Sequence, residues 1–175
     1  MTSMREVLNA GLVIATLAAT TAAGAAQSAS DLRKFADQSY IYIATVRKDG
    51  NQSRAVPVWF VTTDNNQILI DTNTDSWKAK RIRRGSPVIV WMGSLTGPAF
   101  IGKAEFVTDR QVQGQMIERI PRKYFLARIG LFGPKRANFD SGKIVTIRIS
   151  PQRDLPEGFK SEPGAPAPSL SDQQH

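Results

Sequence analysis

The 175-residue chain has no cysteine and a single histidine, His175. Disulfides, thiolate metal sites and cysteine nucleophiles are excluded, and histidine-based catalysis or metal binding loses its usual carrier. Long apolar runs are scarce too. The mostly apolar stretch at residues 7–19 is too short to span a bilayer stably. Arg5 stands before it and Ala23-Gly24-Ala25 after it, the three parts of a secretory signal. An Ala-rich N-terminal helix or tail kept in the mature protein is the other reading. The first predicts a periplasmic or extracellular protein with no membrane span after processing, the second a cytoplasmic one. Residues 1–10 contain no Arg-Arg pair, so nothing there points to export of a folded, ligand-loaded chain.

Acidic residues are the minority charge. Fifteen Asp and Glu face 23 Lys and Arg, a formal balance of +8, which favours anionic partners such as phosphate groups, acidic lipid or nucleic acid. Nucleic acid is the weakest of these, because aromatic residues are not interleaved with the basic run as stacking platforms require. Hydrophobic residues make up 41% of the chain, enough for one core, and three segments follow: a leader-like 1–30, a domain at 31–151, and a tail at 152–175. The tail is rich in Pro, Gly, Ser and Gln and reads as flexible.

Within the domain, Ser30-Asp31 caps a short helix. Runs of β-branched and aromatic residues from Tyr40 to Val46, Arg54 to Val61 and Gln67 to Thr72 are separated by turns at Lys48-Asp49-Gly50-Asn51 and Thr63-Asp64-Asn65-Asn66. That pattern predicts a three-stranded meander. Thr74 or Asp75 can cap a basic helix over 76–84, ended by Gly85 and Pro87. Strands at 88–92 and 99–108, a helix at 110–120 that Pro121 ends or kinks, a second helix over 122–132 and a strand at 143–150 complete the domain. Six strands with short connections predict a mainly β fold, a six-stranded antiparallel barrel with peripheral helices. A doubly wound sheet would need helices between most strands, and the meander has none.

The basic helix carries Lys78, Lys80, Arg81, Arg83 and Arg84. Its first turn, with Ser76 and Lys78, can cradle a phosphate; a solvated cationic helix face is the alternative. Trp59 and Phe60 fall on opposite faces of a strand, so one of them belongs to the core, as does Trp91. Tyr40, Tyr42 and Tyr124 are possible proton donors, though phenols are usually structural.

Taken in order, Ala44-Thr45-Val46-Arg47 with Asp49-Gly50, Arg54-Ala55-Val56-Pro57-Val58-Trp59-Phe60, Asp71-Thr72, Ser76-x-Lys78 and Gly102-Lys103-Ala104-Glu105 resemble the pyridoxamine 5′-phosphate oxidase-like, flavin-binding split-barrel superfamily. The resemblance covers about residues 31–151. It implies a homodimer with FMN, or alternatively a deazaflavin, bound where the subunits meet, and a flavin-dependent oxidoreductase acting on a small-molecule substrate. A non-catalytic flavin or tetrapyrrole-binding protein on the same fold is the alternative. Arg54, Ala55, Val56, Pro57 and Val58 would lie along the flavin, and Asp71 and Thr72 would approach its ring or ribityl chain. Ser76 and Lys78 would hold the phosphate with Arg81 as helper, and Trp77 would stack on the cofactor or pack the subunit interface. For a deazaflavin, Lys80, Arg83 and Arg84 would meet the acidic tail. The oxidases that act on pyridoxamine phosphate share a C-terminal arginine and histidine pair. Here that region reads Ile147-Arg-Ile-Ser-Pro-Gln-Arg153 with no internal histidine, so that substrate is not expected.

Overall fold

The computed structural model describes residues 31–169. The leader-like segment at 1–30 lies outside the described residues, as do residues 170–175. After a 3₁₀ turn at Leu32–Phe35, the chain forms β1 (Ile41–Thr45), β2 (Val56–Val58), β3 (Val61–Thr62), β4 (Ile68–Asn73), α1 (Trp77–Arg83), β5 (Val88–Met92) and β6 (Ala99–Val107). Then follow α2 (Arg110–Lys123), α3 (Phe125–Arg128), α4 (Arg136–Asp140) and β7 (Ile144–Asp154). All seven strands belong to one antiparallel sheet, ordered β2-β1-β5-β6-β7-β4-β3.

The two edge strands are neighbours in sequence, separated only by Trp59 and Phe60. The sheet therefore curls until both edges meet on one segment, with β2 pairing to β1 and β3 to β4. This is the split barrel that the pattern predicts, with one difference. The single strand expected over 54–61 is broken in two, so the described residues form seven strands and not six. At the break, the Tyr124 hydroxyl takes the place of a ladder partner. It accepts from Phe60 N at 3.0 Å and donates to Phe60 O at 3.1 Å, satisfying backbone groups that would otherwise be buried unpaired.

Alternation along the strands sorts side chains into separate layers. Ile41, Ile43, Val88, Val90, Ile68, Ile70, Ile147 and Ile149 point into the barrel around Phe60, which is fully buried. On the outside, Ala44, Ile89, Trp91 and Ile101 form a second cluster, and Leu69, Met116, Ile120 and Tyr124 a third beneath α2. Both faces of β5 are thus covered, which is why its whole run Val-Ile-Val-Trp-Met is buried.

The second cluster is covered by the segment expected to be a free tail. Phe159 stacks on Trp91 with ring centres 6.0 Å apart and accepts Trp91 Nε1–H on its carbonyl at 2.8 Å. Further on, Gln52 N donates to Ala165 O, Gly164 N to Gln52 O and Ala167 N to Gly50 O. A Pro/Gly-rich composition cannot build a core of its own, but Leu155 and Phe159 anchor this stretch on apolar surface the barrel already offers. The helices also depart from expectation. Pro121 sits inside the last turn of α2, which runs on to Lys123, and Gly130 and Gly133, at φ 80° and 115°, confine α3 to four residues. Ser76, and neither Thr74 nor Asp75, caps α1, its Oγ accepting from Ala79 N at 3.1 Å. Among the described residues no helix is long and apolar enough to cross a membrane.

Tyr124→Phe leaves the buried Phe60 N–H without its partner at the point where the barrel closes. The expected loss is about 1–3 kcal/mol, read as a lower urea midpoint at unchanged m-value.

Candidate functional site

The break in the closing segment leaves a cavity of about 420 Å³ against the outside of the barrel. That volume suits a small organic ligand or one ring system of a cofactor. Pro57, Val58 and Trp59 form one wall, and Asp71, Thr72 and Asn73 at the end of β4 form another. Tyr40 and Ile144 line it too, and Ile120 with the Phe132-Gly133-Pro134 loop completes it. Trp59 is held flat against Tyr124, with ring centres 4.6 Å apart and planes 12° from parallel. Of the two strand aromatics, Phe60 is the core residue and Trp59 belongs to the cavity wall.

The predicted site residues separate into groups. Pro57, Val58, Asp71 and Thr72 meet around the cavity. Val56 is partly exposed on the same strand, and Arg54 is exposed just before it. Ala55 does not join them; it is buried in the second cluster with Ala44 and Trp91, on the face opposite Val56. Thr72 Oγ1 lies 3.3 Å from Ser76 Oγ, linking the cavity to the cap of α1. Lys78 follows in the first turn of that helix, and Trp77 beside it is 72% exposed.

Arg81 reaches the end of β1, where its Nη1 donates to Thr45 Oγ1 at 3.1 Å, with its guanidinium carbon 5.8 Å from the Trp77 ring centre. Desolvation, with Arg47 and Arg84 close by, lowers its pKa. The remaining cations of the helix splay apart. Lys80 lies 5.4 Å over the Trp77 ring, Arg83 lies 5.1 Å over Phe106, and Arg84 donates to Val46 O. Lys80, Arg83 and Arg84 therefore do not form a single cradle.

Two ionisable groups stand out by burial. Asp71 on the cavity wall accepts from Thr146 Oγ1 at 2.7 Å through Oδ1, while its Oδ2 is buried with no partner. Desolvation pushes its carboxyl up to about 6, against the hydrogen bond that opposes the rise. Lys78 is also largely desolvated, which brings its ammonium down to about 8, and it makes no hydrogen bond or ion pair among the described residues. An uncompensated cation beyond the Thr72–Ser76 contact fits a ligand that brings an anionic group. Tyr124, a possible proton donor from sequence, has both hydroxyl bonds committed to Phe60, and burial raises its pKa to about 12. Its role is structural.

Sequence reasoning missed Ile120, Ile144 and the Phe132–Pro134 loop. These residues reach the cavity through α2, the start of β7 and the turn before α4, and a strand pattern carries no signal for them.

Asp71 sets a pH dependence. Its folded-state pKa lies above the unfolded value, so the native state holds the proton more tightly, and stability falls as pH rises from about 4 to 6. The isosteric Asp71→Asn variant removes that cost. Chemical denaturation should find it more stable than the parent by about 1–3 kcal/mol above pH 6, with the gain shrinking toward pH 4. An equal gain at both pH values would show that the buried carboxylate is not its source.

The same architecture occurs in solved structures at low sequence identity, which establishes the fold alone. A candidate pyridoxamine 5′-phosphate oxidase from Listeria innocua superposes with a TM-score of 0.52 at 19% identity, covering 71% of this chain and 92% of that one. The heme storage protein HutZ from Vibrio cholerae gives 0.54 at 16% identity, covering 74% and 94%. A candidate 5-nitroimidazole antibiotic resistance protein from Bacteroides thetaiotaomicron gives 0.54 at 13%, covering 73% and 82%. No curated protein matches the sequence significantly. The sequence profile of the pyridoxamine 5′-phosphate oxidase family matches residues 29–153, which span the sheet almost entirely, and the chain therefore belongs to that family.

Proposed function

We propose that this protein binds FMN and acts as an FMN-dependent oxidoreductase on a small molecule other than pyridoxamine phosphate. The observation that carries the reading is the pairing of a mostly apolar cavity, lined by Pro57, Val58, Trp59, Asp71 and Thr72, with the desolvated Lys78, unpaired among the described residues, just beyond Thr72 and Ser76. In this arrangement Pro57, Val58 and Trp59 flank the flavin ring and exclude water from one side of it. Asp71 backs the wall beside the ring, and Thr72 and Ser76 lie along the path to the phosphate, which Lys78 neutralises. The bound flavin would supply hydride or electron transfer, while the chain supplies binding and orientation. Exposed Val56 and Trp77 offer apolar area for a second copy to close over the site, giving a homodimer.

A deazaflavin has less support, because Lys80, Arg83 and Arg84 splay apart where its acidic tail would need them together. A tetrapyrrole is the binding-protein alternative on this fold. The sequence offers only His175 as a histidine ligand.

Absorbance of the purified protein, with the released ligand identified by mass, distinguishes these readings at once. For FMN, Lys78→Ala should weaken binding at least about tenfold, a loss of roughly 1.4 kcal/mol, measured by quenching of flavin fluorescence. Parent affinity should also fall as pH rises through about 8, where Lys78 loses its charge, and the variant should lack that step. Binding as tight as the parent's by Lys78→Ala would sink the phosphate assignment. A bound flavin that no donor reduces would leave a binding protein and no enzyme.

A further inference from the structure

Between α2 and α4 the chain presents a surface that the cavity does not account for. Phe125, Leu126, Ile129, Leu131 and Phe132 are exposed by 62%, 42%, 51%, 64% and 64%. Single exposed apolar residues are ordinary, but five of them within residues 125–132 form a patch of the kind that marks an interaction surface. The fold holds the patch outward by design of its own contacts. Ala127 is buried beneath α2, and a Cβ placed on Gly133 would come within 3.1 Å of Ala127 Cβ, so both ends of the loop are tied down close together. Leu131 N donates to Leu126 O at 3.1 Å and Gly130 N to Ala127 O at 3.0 Å, which closes the residues between into a compact knuckle. The side chains of Ile129 and Leu131 are left exposed, and Phe132 is exposed at the rim of the cavity.

Charge along the knuckle and its flanks is mostly positive. Residues 119–136 contain six Lys and Arg and no Asp or Glu. Lys123 is turned inward, donating to Phe60 O, but Arg122, Arg128, Lys135 and Arg136 remain exposed around the apolar patch. Arg122 pairs with Glu118, and Arg136 donates to the neutral Gln113 side chain, while Arg128 and Lys135 form no ion pair among the described residues. An apolar tip ringed by cations is the chemistry of a surface that enters the headgroup region of an anionic bilayer, with acyl chains receiving Phe and Leu while Lys and Arg stay at the phosphates. A second copy of the chain fits less well. A two-fold contact places the same patch on both sides, so the cationic ring would face itself.

We propose that residues 125–132 form a membrane-docking knuckle that inserts its apolar side chains into an anionic lipid surface while the surrounding arginines and lysines engage lipid phosphates. Phe132 also lines the cavity. Docking would therefore set one wall of the cavity at the lipid surface. The proposal does not depend on the identity of the ligand in the cavity.

The absence of cysteine permits a local test in the full-length chain. Leu131→Cys, labelled with a polarity-sensitive fluorophore, should shift its emission to the blue on adding phosphatidylcholine vesicles that contain phosphatidylglycerol, and not on adding pure phosphatidylcholine vesicles. The same label at Asp49, outside the patch, should not shift. In co-sedimentation, Leu131→Ser/Phe132→Ser should lower affinity for the phosphatidylglycerol vesicles by about tenfold or more, and Arg128→Gln/Lys135→Gln by a similar factor that shrinks at high salt. Both pairs replace exposed side chains, and unchanged thermal unfolding verifies their fold. No blue shift at residue 131 overturns the proposal, even if the chain sediments with vesicles through another region. Vesicle binding unaffected by the serine pair overturns it as well, as does a serine pair that converts a dimer to a monomer with no loss of lipid affinity, which would identify the patch as a subunit contact.

Discussion

The hydroxyl of Tyr124 on the backbone of Phe60 is the contact on which the rest of this structure depends. A sheet whose two edges are successive pieces of one segment can close only if the segment changes partners midway, from β1 on one side to β4 on the other. At that change the ladder is interrupted and a buried N–H and carbonyl are stranded. One phenol satisfies both, and Lys123 adds a second donor to the carbonyl at 3.2 Å. The same tyrosine presses its ring against Trp59 and belongs to the cluster under α2. Barrel closure, the seating of α2 and the orientation of one cavity wall are thus three consequences of one side chain.

That dependence explains what could be read from the sequence and what could not. Alternation and turn chemistry located β1, β4, β5 and β6 closely, since Ile41/Ile43, Ile68/Ile70 and Val88/Val90 record which face is buried, and the turns at 48–51 and 63–66 fix where the chain reverses. The helix starting at Asp109 was legible from its cap. The break at Trp59–Phe60 was not, because the sequence has no turn residue there and the group that splits the run lies 64 residues away. The segment after Asp154 failed for a related reason. Composition reports whether a stretch can form its own core, whereas Phe159 and Leu155 complete a core built by other strands.

For the site, the residue types and their order pointed to one wall, Pro57-Val58 with Asp71-Thr72, and to Lys78 beyond it. The opposite wall was invisible because Gly133 and Pro134 carry no chemistry that marks them. Their place is set by the approach of Gly133 to Ala127, which only the packed α2 and α3 define. Ala55 shows the limit of reading a contiguous motif. Within Arg54 to Val58, alternation sends neighbours to different faces, so no strand of this length can offer all five side chains to one ligand.

Asp71 and Lys78 pull against the stability of the domain in the same way. Each is a charge moved out of water, one raised to about 6 and the other lowered to about 8, both by desolvation. Burial of a carboxylate and an ammonium is tolerated most readily when they pair, yet no ion pair joins these two, and the hydroxyl of Thr146 answers only one carboxylate oxygen. A domain selected for stability alone would replace either with a neutral side chain of similar size. Both sit along the line that runs from the cavity wall through Thr72 and Ser76 into the first turn of α1. The cost of these charges is one that the proposed ligand would offset in part, its anion answering the lysine. By mass action, such a ligand would stabilise the fold at the points where the chain alone is weakest.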